Sequence, residues 1–372
     1  MKRVGIVGAG ISGLVLASFL KKSKKYEISI FEKNIVKSRN INGIQISPNA
    51  IKILKELNFD SFNKDKFCKI QSLSFYDCIS NIKIATMNLD YLKKDYYVTL
   101  NRDSLVQFLI NEFDLKNNIT EKEAIKIYNR TISFKDQTKQ NFDILVIADG
   151  IFSKLRYKKI HPIYSGYSAF RGTFSDSKNS NMIDLYMGNN FHLVKYPIDQ
   201  NCNYSFTLVK KAQLNDQISD YNSEIKDFNT NYKSFLSNLD NNFSNNLKVK
   251  IWPIYKLNKI YYGHEKTFFI GDSSHGFIPS RAQGAAQAIE DAYILFNLIQ
   301  KNKILADSLY QIRNTRIKKI ISKSENNIII FHQSFFIFRW IRNLFIRLIC
   351  VSKFLTKLIN SFIFNYDFKK GL

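Results

Sequence analysis

The chain has 372 residues, of which 45% are hydrophobic and 23% are charged. This length predicts about two or three domains, and the apolar content excludes wholesale disorder. The four cysteines form no CxxC pair and the five histidines no HxH or HExxH spacing, so neither a disulfide scaffold nor a metal site is expected. No export signal precedes the first strand pattern, which favours a cytoplasmic protein.

The net charge of +24 is of the sign that attracts nucleic acid. Lysine, isoleucine, asparagine and phenylalanine are over-represented along the whole chain, however, and no motif of a nucleic-acid-binding protein accompanies the charge. We therefore expect no nucleic-acid partner, and the sequence leaves the oligomeric state open.

The first 32 residues have the pattern of a β-turn-α-β unit. Residues 2–8 predict a buried strand, 11–20 a helix packed on a sheet, and 26–32 a second strand. Such a unit opens a doubly wound α/β sheet. Further along, the pattern predicts helices at 47–57, 102–112 and 283–300, and buried strands at 142–148 and 267–271.

The middle of the chain has a different texture. Between about 165 and 209, short strand patterns alternate with turn residues, which is typical of an antiparallel sheet inserted into a doubly wound domain. A polar stretch at 215–246 predicts helix. The strands predicted for the inserted sheet are 169–174, 182–187, 192–198 and 204–209.

Gly8, Gly10 and Gly13 form a GxGxxG motif between the first strand and the first helix. In such a motif the first glycine permits a tight turn, the second lets a pyrophosphate approach the backbone, and the third lets the helix pack closely on the strand. Glu32 ends the second strand, where a carboxylate accepts a hydrogen bond from an adenosine ribose. No other glycines form this motif, so one nucleotide, FAD or NAD, has a dedicated domain. The candidate contacts are Gly8, Ala9, Gly10, Gly13, Glu32 and Lys33.

Three later motifs complete a pattern. Residues 149–156 begin with Asp-Gly after a predicted strand, 271–272 are Gly-Asp after another, and 279–292 lead from a proline into a helix carrying Glu-Asp-Ala. In this order the motifs resemble those of the flavin-dependent aromatic hydroxylases of the para-hydroxybenzoate hydroxylase type, in particular the salicylate hydroxylase-like branch. Smaller matches lie at 43–50, 101–105, 165–172, 192–197 and 252–255.

The resemblance implies an α/β fold with an α+β insert. It consists of a Rossmann-type, glutathione reductase-like FAD-binding domain, an inserted antiparallel β-sheet substrate domain and a C-terminal helical tail. By this resemblance the FAD-binding domain comprises 1–70, 98–158 and 259–325. The substrate domain comprises 71–97 and 159–258, and the helical segment is 326–372.

The resemblance also implies an activity, that of an FAD-dependent monooxygenase. Such an enzyme uses NADH or NADPH and O2 to hydroxylate a small aromatic or related ring through a flavin hydroperoxide. The residues that would contact FAD are Arg102, Asp149, Asp272, Gly284 and Ala285. The positive end of the helix that begins near 284 would face the flavin pyrimidine ring.

Three residues are implied as catalytic candidates beside the flavin and the ring, namely His192, Tyr196 and Pro279. His192 or Tyr196 would help to remove a phenolic proton, because a phenolate is more nucleophilic than a phenol. The sequence departs from the family at Gln45, where some relatives carry a histidine. It also departs beside Arg281, which adds a charge near the predicted flavin face.

Residues 335–364 are largely apolar, but five arginines and lysines interrupt them. No uninterrupted apolar run is therefore as long as a membrane span, which needs about 18–20 residues. On a helical wheel the charges share one arc, which predicts an amphipathic helix. Its apolar face is expected to pack on the catalytic body; peripheral contact with the inner face of a membrane is the alternative. Two further alternatives follow: a membrane-associated ring hydroxylase of ubiquinone biosynthesis, or a non-catalytic basic protein that binds membranes or partners on a flavin fold.

Overall fold

The computed structural model describes residues 1–35, 43–92, 95–176, 180–212 and 249–368. The stretch predicted as helical at 215–246 lies outside these residues. The α-helices are α1 (Ile11–Ser23), α2 (Pro48–Lys55), α3 (Arg102–Glu112), α4 (Asp272–His275), α5 (Gly284–Gln300), α6 (Ala306–Phe331), α7 (Phe336–Val351) and α8 (Lys353–Phe364).

The strands form four sheets. They are β1 (Lys2–Val7), β2 (Tyr26–Glu32), β3 (Gly43–Ile46), β4 (Phe67–Ile70), β5 (Ser72–Asp77), β6 (Ile82–Asn88), β7 (Tyr97–Asn101), β8 (Ile119–Glu121), β9 (Ala124–Tyr128), β10 (Thr131–Phe134), β11 (Lys139–Asn141), β12 (Ile144–Ile147), β13 (Pro162–Ser175), β14 (Met182–Met187), β15 (Phe191–Pro197), β16 (Asn203–Lys211), β17 (Lys250–Leu257), β18 (Gly263–His264) and β19 (Thr267–Phe269).

The first large sheet has the strand order β18-β19-β12-β1-β2-β8, and all its pairs are parallel except β18 with β19. In the two central strands, β12 and residues 4–7 of β1 are buried and carry no polar side chain, and α1 and α5 pack together against the sheet. Because parallel strands end at the same edge, the segments that follow β1, β2, β12 and β19 meet there. That edge is where ligands bind in open α/β sheets.

The second large sheet has the order β17-β13-β16-β15-β14-β5-β6. The prediction of an antiparallel sheet holds for every pair except β14 with β5, which are parallel. The β5–β6 hairpin comes from a distant part of the chain and adds to the edge at β14, so no short hairpin turn forces this pair to be antiparallel. The sheet is therefore mixed.

Most predicted elements are present, with small changes of length. The predicted bounds 26–32, 102–112 and 182–187 are those observed. The strand predicted at 169–174 is only the C-terminal part of β13, which is longer because it pairs with both β16 and β17. Two small sheets, β3-β7-β4 and β11-β10-β9, were not predicted.

The C-terminal segment differs from its prediction in two ways. It is not one helix but two, α7 and α8, which are separated at Ser352. The expectation that its apolar face packs on the body holds only in part. Ile349, Ile363 and Phe364 are buried against the body, but at the start of α7 polar side chains face inward and hydrogen-bond to Asp77 on β5. A buried carboxylate needs charged partners more than it needs apolar contact, which explains this orientation.

Candidate active site

The glycine turn after β1 has the geometry that its sequence predicts. Gly8 has a φ of +107°, which L-residues rarely adopt, and its N–H donates to the Phe31 carbonyl at 2.7 Å. A Cβ on Gly13 would lie 2.1 Å from the Gly8 carbonyl oxygen, whereas the nearest heavy atom to a Cβ on Gly10 is Arg102 Nη2 at 3.8 Å. Gly13 thus serves close packing, and Gly10 faces open space in which a phosphate can approach.

Glu32 lies at the end of β2, beside this turn. Its Oε2 accepts a hydrogen bond from the Ala9 N–H at 2.9 Å, and its Oε1 accepts one from the Asn34 N–H at 3.3 Å. The carboxylate therefore fixes the turn, and its remaining lone pairs are available for a ribose hydroxyl. Lys33 follows it with an exposed side chain.

The Gly271–Asp272 turn after β19 lies against the glycine turn. Gly271 has a φ of +62°, and a Cβ there would lie 3.1 Å from Ser12 Oγ at the start of α1. Burial raises the pKa of Asp272, and the charges of Arg102 and Arg171 oppose that rise. Arg102, at the start of α3, therefore lies close to both turns, and stretches from opposite ends of the chain line one crevice.

The carboxylates of Asp149 and Asp272 indicate that the crevice is narrow. Asp149 and Asp272 both have exposed side chains, yet desolvation raises the pKa of each, that of Asp149 to about 6. A group that solvent reaches but that protein atoms crowd lies in a narrow crevice. Asp149 follows β12, so both residues sit at the ligand-binding edge of the parallel sheet.

The crevice fits a dinucleotide such as FAD. Gly10 and Gln283, the residues that precede α1 and α5, make no side-chain capping hydrogen bond, so the first amides of both helices remain available to an anion. A Cβ on Gly284 would meet nothing within 4 Å, and Ala285 beside it is half-buried. The amide and Arg102 donors match phosphates, and the two carboxylate acceptors match hydroxyl groups.

A buried ionic cluster holds the Gly271–Asp272 turn in place. Asp291 on α5 accepts hydrogen bonds from the Gly271 N–H at 2.8 Å and from Arg313 Nε at 2.7 Å, and it lies 2.6 Å from His275 Nε2. Burial alone would raise the pKa of Asp291, but His275 and Arg313 outweigh it and hold the pKa at about 2.

The adjacent Glu290 extends this cluster to the C-terminal region. Its carboxylate receives Arg313 Nη1 at 2.5 Å, two nitrogens of Arg316 at 2.6 and 2.7 Å, and Asn49 Nδ2 at 2.7 Å. Arg316 also donates to the Phe362 carbonyl of α8 at 2.8 Å. The sequence shows the Glu-Asp pair in an otherwise apolar helix, but nothing in it identifies the partners on α6.

Tyr196 lies in a buried polar cluster between two sheets. On β15 it pairs in register with Ser205, and Arg171 of β13 lies opposite Thr207 on the same β16 strand. Burial raises the pKa of Tyr196, and Arg171, Ser205 and Gln45 oppose that rise. Because the pKa stays above its ordinary value, the phenol keeps its proton at neutral pH.

His192 is on the same face of β15 but is not part of this cluster. Its Nδ1 lies 2.8 Å from Nε2 of His332, the residue after α6, and its ring meets the edge of Phe331. Burial lowers the pKa of His192, and His332 lowers it further, so the ring is neutral. The structure thus separates the two predicted proton acceptors: Tyr196 lies near Arg171, and His192 packs against the end of α6.

Pro279 begins the turn that leads into α5, because its carbonyl accepts the Ala282 N–H at 3.1 Å. Arg281, in the same turn, is half-buried, and burial lowers its pKa. Within the described part of the chain, neither Arg281 nor Arg171 forms an ion pair, and Arg171 Nε is buried without a hydrogen-bond partner. Sequence reasoning did not assign a role to either arginine.

Comparison with known proteins agrees with this geometry. The model of a family described as an NAD(P)-binding Rossmann-like domain matches residues 6–52. The chain is 24% identical over 356 residues to 6-hydroxynicotinate 3-monooxygenase of Pseudomonas fluorescens, a match that covers 87% of this chain and 91% of that protein. The structure of a salicylate hydroxylase substrate complex superposes with a TM-score of 0.78 at 17% identity and covers 100% of this chain and 97% of that one. CtdE in complex with FAD and a substrate gives a TM-score of 0.79 at 16% identity, with the same coverage.

The fold, the crevice and these relatives define the class: the chain is an FAD-dependent monooxygenase that hydroxylates aromatic rings, with NAD(P)H as co-substrate. Its fold is that of the salicylate hydroxylase-like branch. FAD, when bound, takes electrons from NAD(P)H and activates dioxygen. The alternatives of a ubiquinone-pathway hydroxylase and of a non-catalytic binding protein are not favoured by these relatives.

Proposed function

We propose that the chain hydroxylates a small aromatic ring that carries both a hydroxyl group and a carboxylate. The observation that carries this proposal is Arg171, whose Nε is buried without a partner near Tyr196 and Asp272. A buried guanidinium nitrogen without a hydrogen-bond acceptor is costly, and a carboxylate is the ligand that offsets this cost with paired hydrogen bonds.

Arg281 supports the same class of substrate. It lies in the turn between Pro279 and α5, and no ion pair neutralises it within the described residues. Two arginines without an ion pair beside one crevice favour anionic ligands over neutral ones.

The names of two relatives agree with this chemistry. 6-Hydroxynicotinate and salicylate, the compounds named for them, are both ring acids with a hydroxyl group. We infer that this chain acts on a compound of that chemical class, without inferring either compound itself.

For the ring hydroxyl we propose Tyr196 as a hydrogen-bond donor rather than as a base. Its raised pKa keeps the phenol protonated, and a donated hydrogen bond stabilises the phenolate form of the substrate. We propose that His192 positions β15 against α6 instead of touching the ring, because its Nδ1 is occupied by His332. Pro279 would border the ring from the turn before α5.

For FAD we propose contacts to the phosphates from the backbone at Gly8, Ala9 and Gly10, with close packing at Gly13. Glu32 and Lys33 would face the adenosine, and Arg102 would reach the phosphate or ribityl region. Asp149 and Asp272 would accept hydrogen bonds from hydroxyl groups, and the amides of Gly284 and Ala285 would face the pyrimidine ring. The position of these residues around one crevice supports the assignment.

The test compares ring substrates that differ only in the carboxylate, followed by NAD(P)H consumption and hydroxylated product. We expect the acid to be the better substrate, and Arg171→Met to raise its KM by at least about 30-fold, the effect of removing one partner of a buried charge pair. Arg171→Lys should recover part of the loss, and Lys126→Met on β9 is the matched control, because its exposed side chain lies on a different sheet. Equal turnover of the acid and the neutral ring by the unaltered enzyme would refute the proposal.

A further inference from the structure

The C-terminal helices expose an unusual amount of apolar side chain. Between residues 335 and 358, twelve large hydrophobic side chains are 43% to 87% exposed. We call them the outer apolar surface. Its most exposed members include Phe336, Trp340, Phe345, Val351 and Phe354. Contiguous exposure on this scale marks an interaction surface in a folded protein.

The outward direction of this surface is fixed by charge. Arg342 Nη2 and Asn343 Nδ2 donate to Asp77 Oδ2 at 3.0 and 2.9 Å, and Arg339 Nε lies 3.3 Å from the same oxygen. Asp77 is 1% exposed, so turning α7 over would leave a buried carboxylate without cations. The body thus binds the side of α7 that carries Arg339, Arg342 and Asn343, and it holds most of the large apolar side chains of α7 outward.

The charge of the segment indicates what covers this surface. Residues 326–366 contain five arginines and lysines and no aspartate or glutamate. Arg339 and Arg342 are paired with Asp77, whereas the side chains of Arg347, Lys353 and Lys357 are exposed. Apolar and aromatic residues flanked by exposed basic groups are the composition of helices that lie in the interface of an anionic bilayer.

A second copy of the chain suits the surface less well. Self-association through it would bring the basic segments of two chains together, and each chain already carries a net charge of +24. Anionic lipid supplies both the apolar phase and the opposite charge. No helix among the described residues is long and apolar enough to cross a bilayer, so the contact is peripheral.

We propose that the outer apolar surface binds anionic lipid bilayers, with α7 and the first turns of α8 lying in the headgroup region. The binding does not depend on the hydroxylation proposed above, because the surface lies on the side of α7 that faces away from the body.

The experiment uses the full-length holoenzyme and vesicles of phosphatidylglycerol with phosphatidylcholine, or of phosphatidylcholine alone. We expect sedimentation with the anionic vesicles, weakened by salt. The triple variant Phe336→Ser, Phe345→Ser, Phe354→Ser should bind at least about tenfold less, since each phenylalanine contributes through apolar burial. The matched control is Ile125→Ser with Tyr128→Ser, two exposed apolar residues on β9 that should leave binding unchanged. Flavin content reports that each variant is folded.

Trp340 gives a direct readout of insertion. The chain has two tryptophans, so Trp252→Phe leaves Trp340 as the only one. Its emission should shift to the blue with anionic vesicles and be quenched by brominated lipid, whereas Trp252 in a Trp340→Phe variant should not respond. Absence of vesicle binding, or equal binding by the triple variant, would overturn the proposal. So would a dimer in light scattering that the triple variant abolishes, because that result assigns the surface to a second copy.

Discussion

At the scale of single residues, Gly10 and Gly13 have different roles. Substituting each glycine by alanine, which adds one methyl group, distinguishes these roles. A Cβ on Gly13 would meet the Gly8 carbonyl at 2.1 Å, so Gly13→Ala must displace α1 from β1. We expect it to lower the free energy of unfolding by about 1–3 kcal/mol, the usual cost of overpacking.

Gly10→Ala is the matched variant. A Cβ there meets nothing nearer than 3.8 Å, so the stability of the flavin-free protein should be unchanged while FAD binding weakens. Thermal unfolding of the flavin-free proteins and a flavin fluorescence titration measure the two effects. Equal loss of stability in both variants would contradict this division of tasks.

Asp149 predicts a pH dependence. Burial raises its pKa from 3.8 to about 6, so its contribution to stability is present below pH 3.8 and is lost as the pH rises through about 6. Asp149→Asn, which cannot ionise, should therefore raise the melting temperature of the flavin-free protein at pH 7.5. The gain should be modest, because solvent reaches the side chain, and it should vanish near pH 4. A gain that is independent of pH would show that ionisation is not its cause.

Residue patterns were informative where the chemistry is local. The glycine turn could be predicted because its steric demands involve neighbours a few positions apart. Arg171 could not, because a lone arginine on a strand is usually solvated, and the burial of its Nε near Tyr196 and Asp272 depends on segments that are distant in the chain. Likewise, only the fold separates Tyr196, which lies near Arg171, from His192, which contacts His332.

At the scale of elements, α5 and α6 are joined by the buried cluster of Glu290, Asp291, Arg313 and Arg316. Arg313→Met should lower the free energy of unfolding by about 3–5 kcal/mol, because it leaves two buried carboxylates short of a cation. The exposed Lys319→Met on the same helix is the control and should change little. Denaturant unfolding of the flavin-free proteins measures both.

The same cluster predicts the behaviour in acid. The pKa of Asp291 is held at about 2, so the stability it contributes is present above pH 3.8 and is lost as the pH falls through about 2. In Arg313→Met this loss should begin at higher pH. If the free energy of unfolding of Arg313→Met falls at the same acid pH as that of the unaltered protein, Arg313 does not lower the pKa of Asp291.

Periodicity predicted the elements better than their partners. The bounds of β2, α3 and β14 follow from their own patterns, but the parallel pairing of β14 with β5 joins segments more than a hundred residues apart. The sequence correctly predicted that α7 is amphipathic, but it did not predict which side of the helix faces the body. A helical wheel shows that two faces differ, and only the buried Asp77 decides which face turns inward.

At the scale of the whole molecule, the crevice joins the beginning of the chain to residues 271–285. FAD should therefore stabilise the fold, by about 2.7 kcal/mol at a free concentration of 100 times Kd. Riboflavin, which lacks the phosphates and the adenosine, should raise the melting temperature less at the same concentration. Equal shifts from both ligands would show that the glycine turn does not contribute to binding.

By itself the sequence determined the glycine turn and most of the elements, because these follow from short-range sterics and periodicity, and the resemblance of its motifs to a known family indicated the class of the protein. Only the tertiary structure decided which charges pair and which remain uncompensated, and which face of α7 is exposed. The reason is that burying a charge is favourable or costly according to partners that the fold brings from far along the chain, such as Asp77 with Arg342 and Glu290 with Arg316.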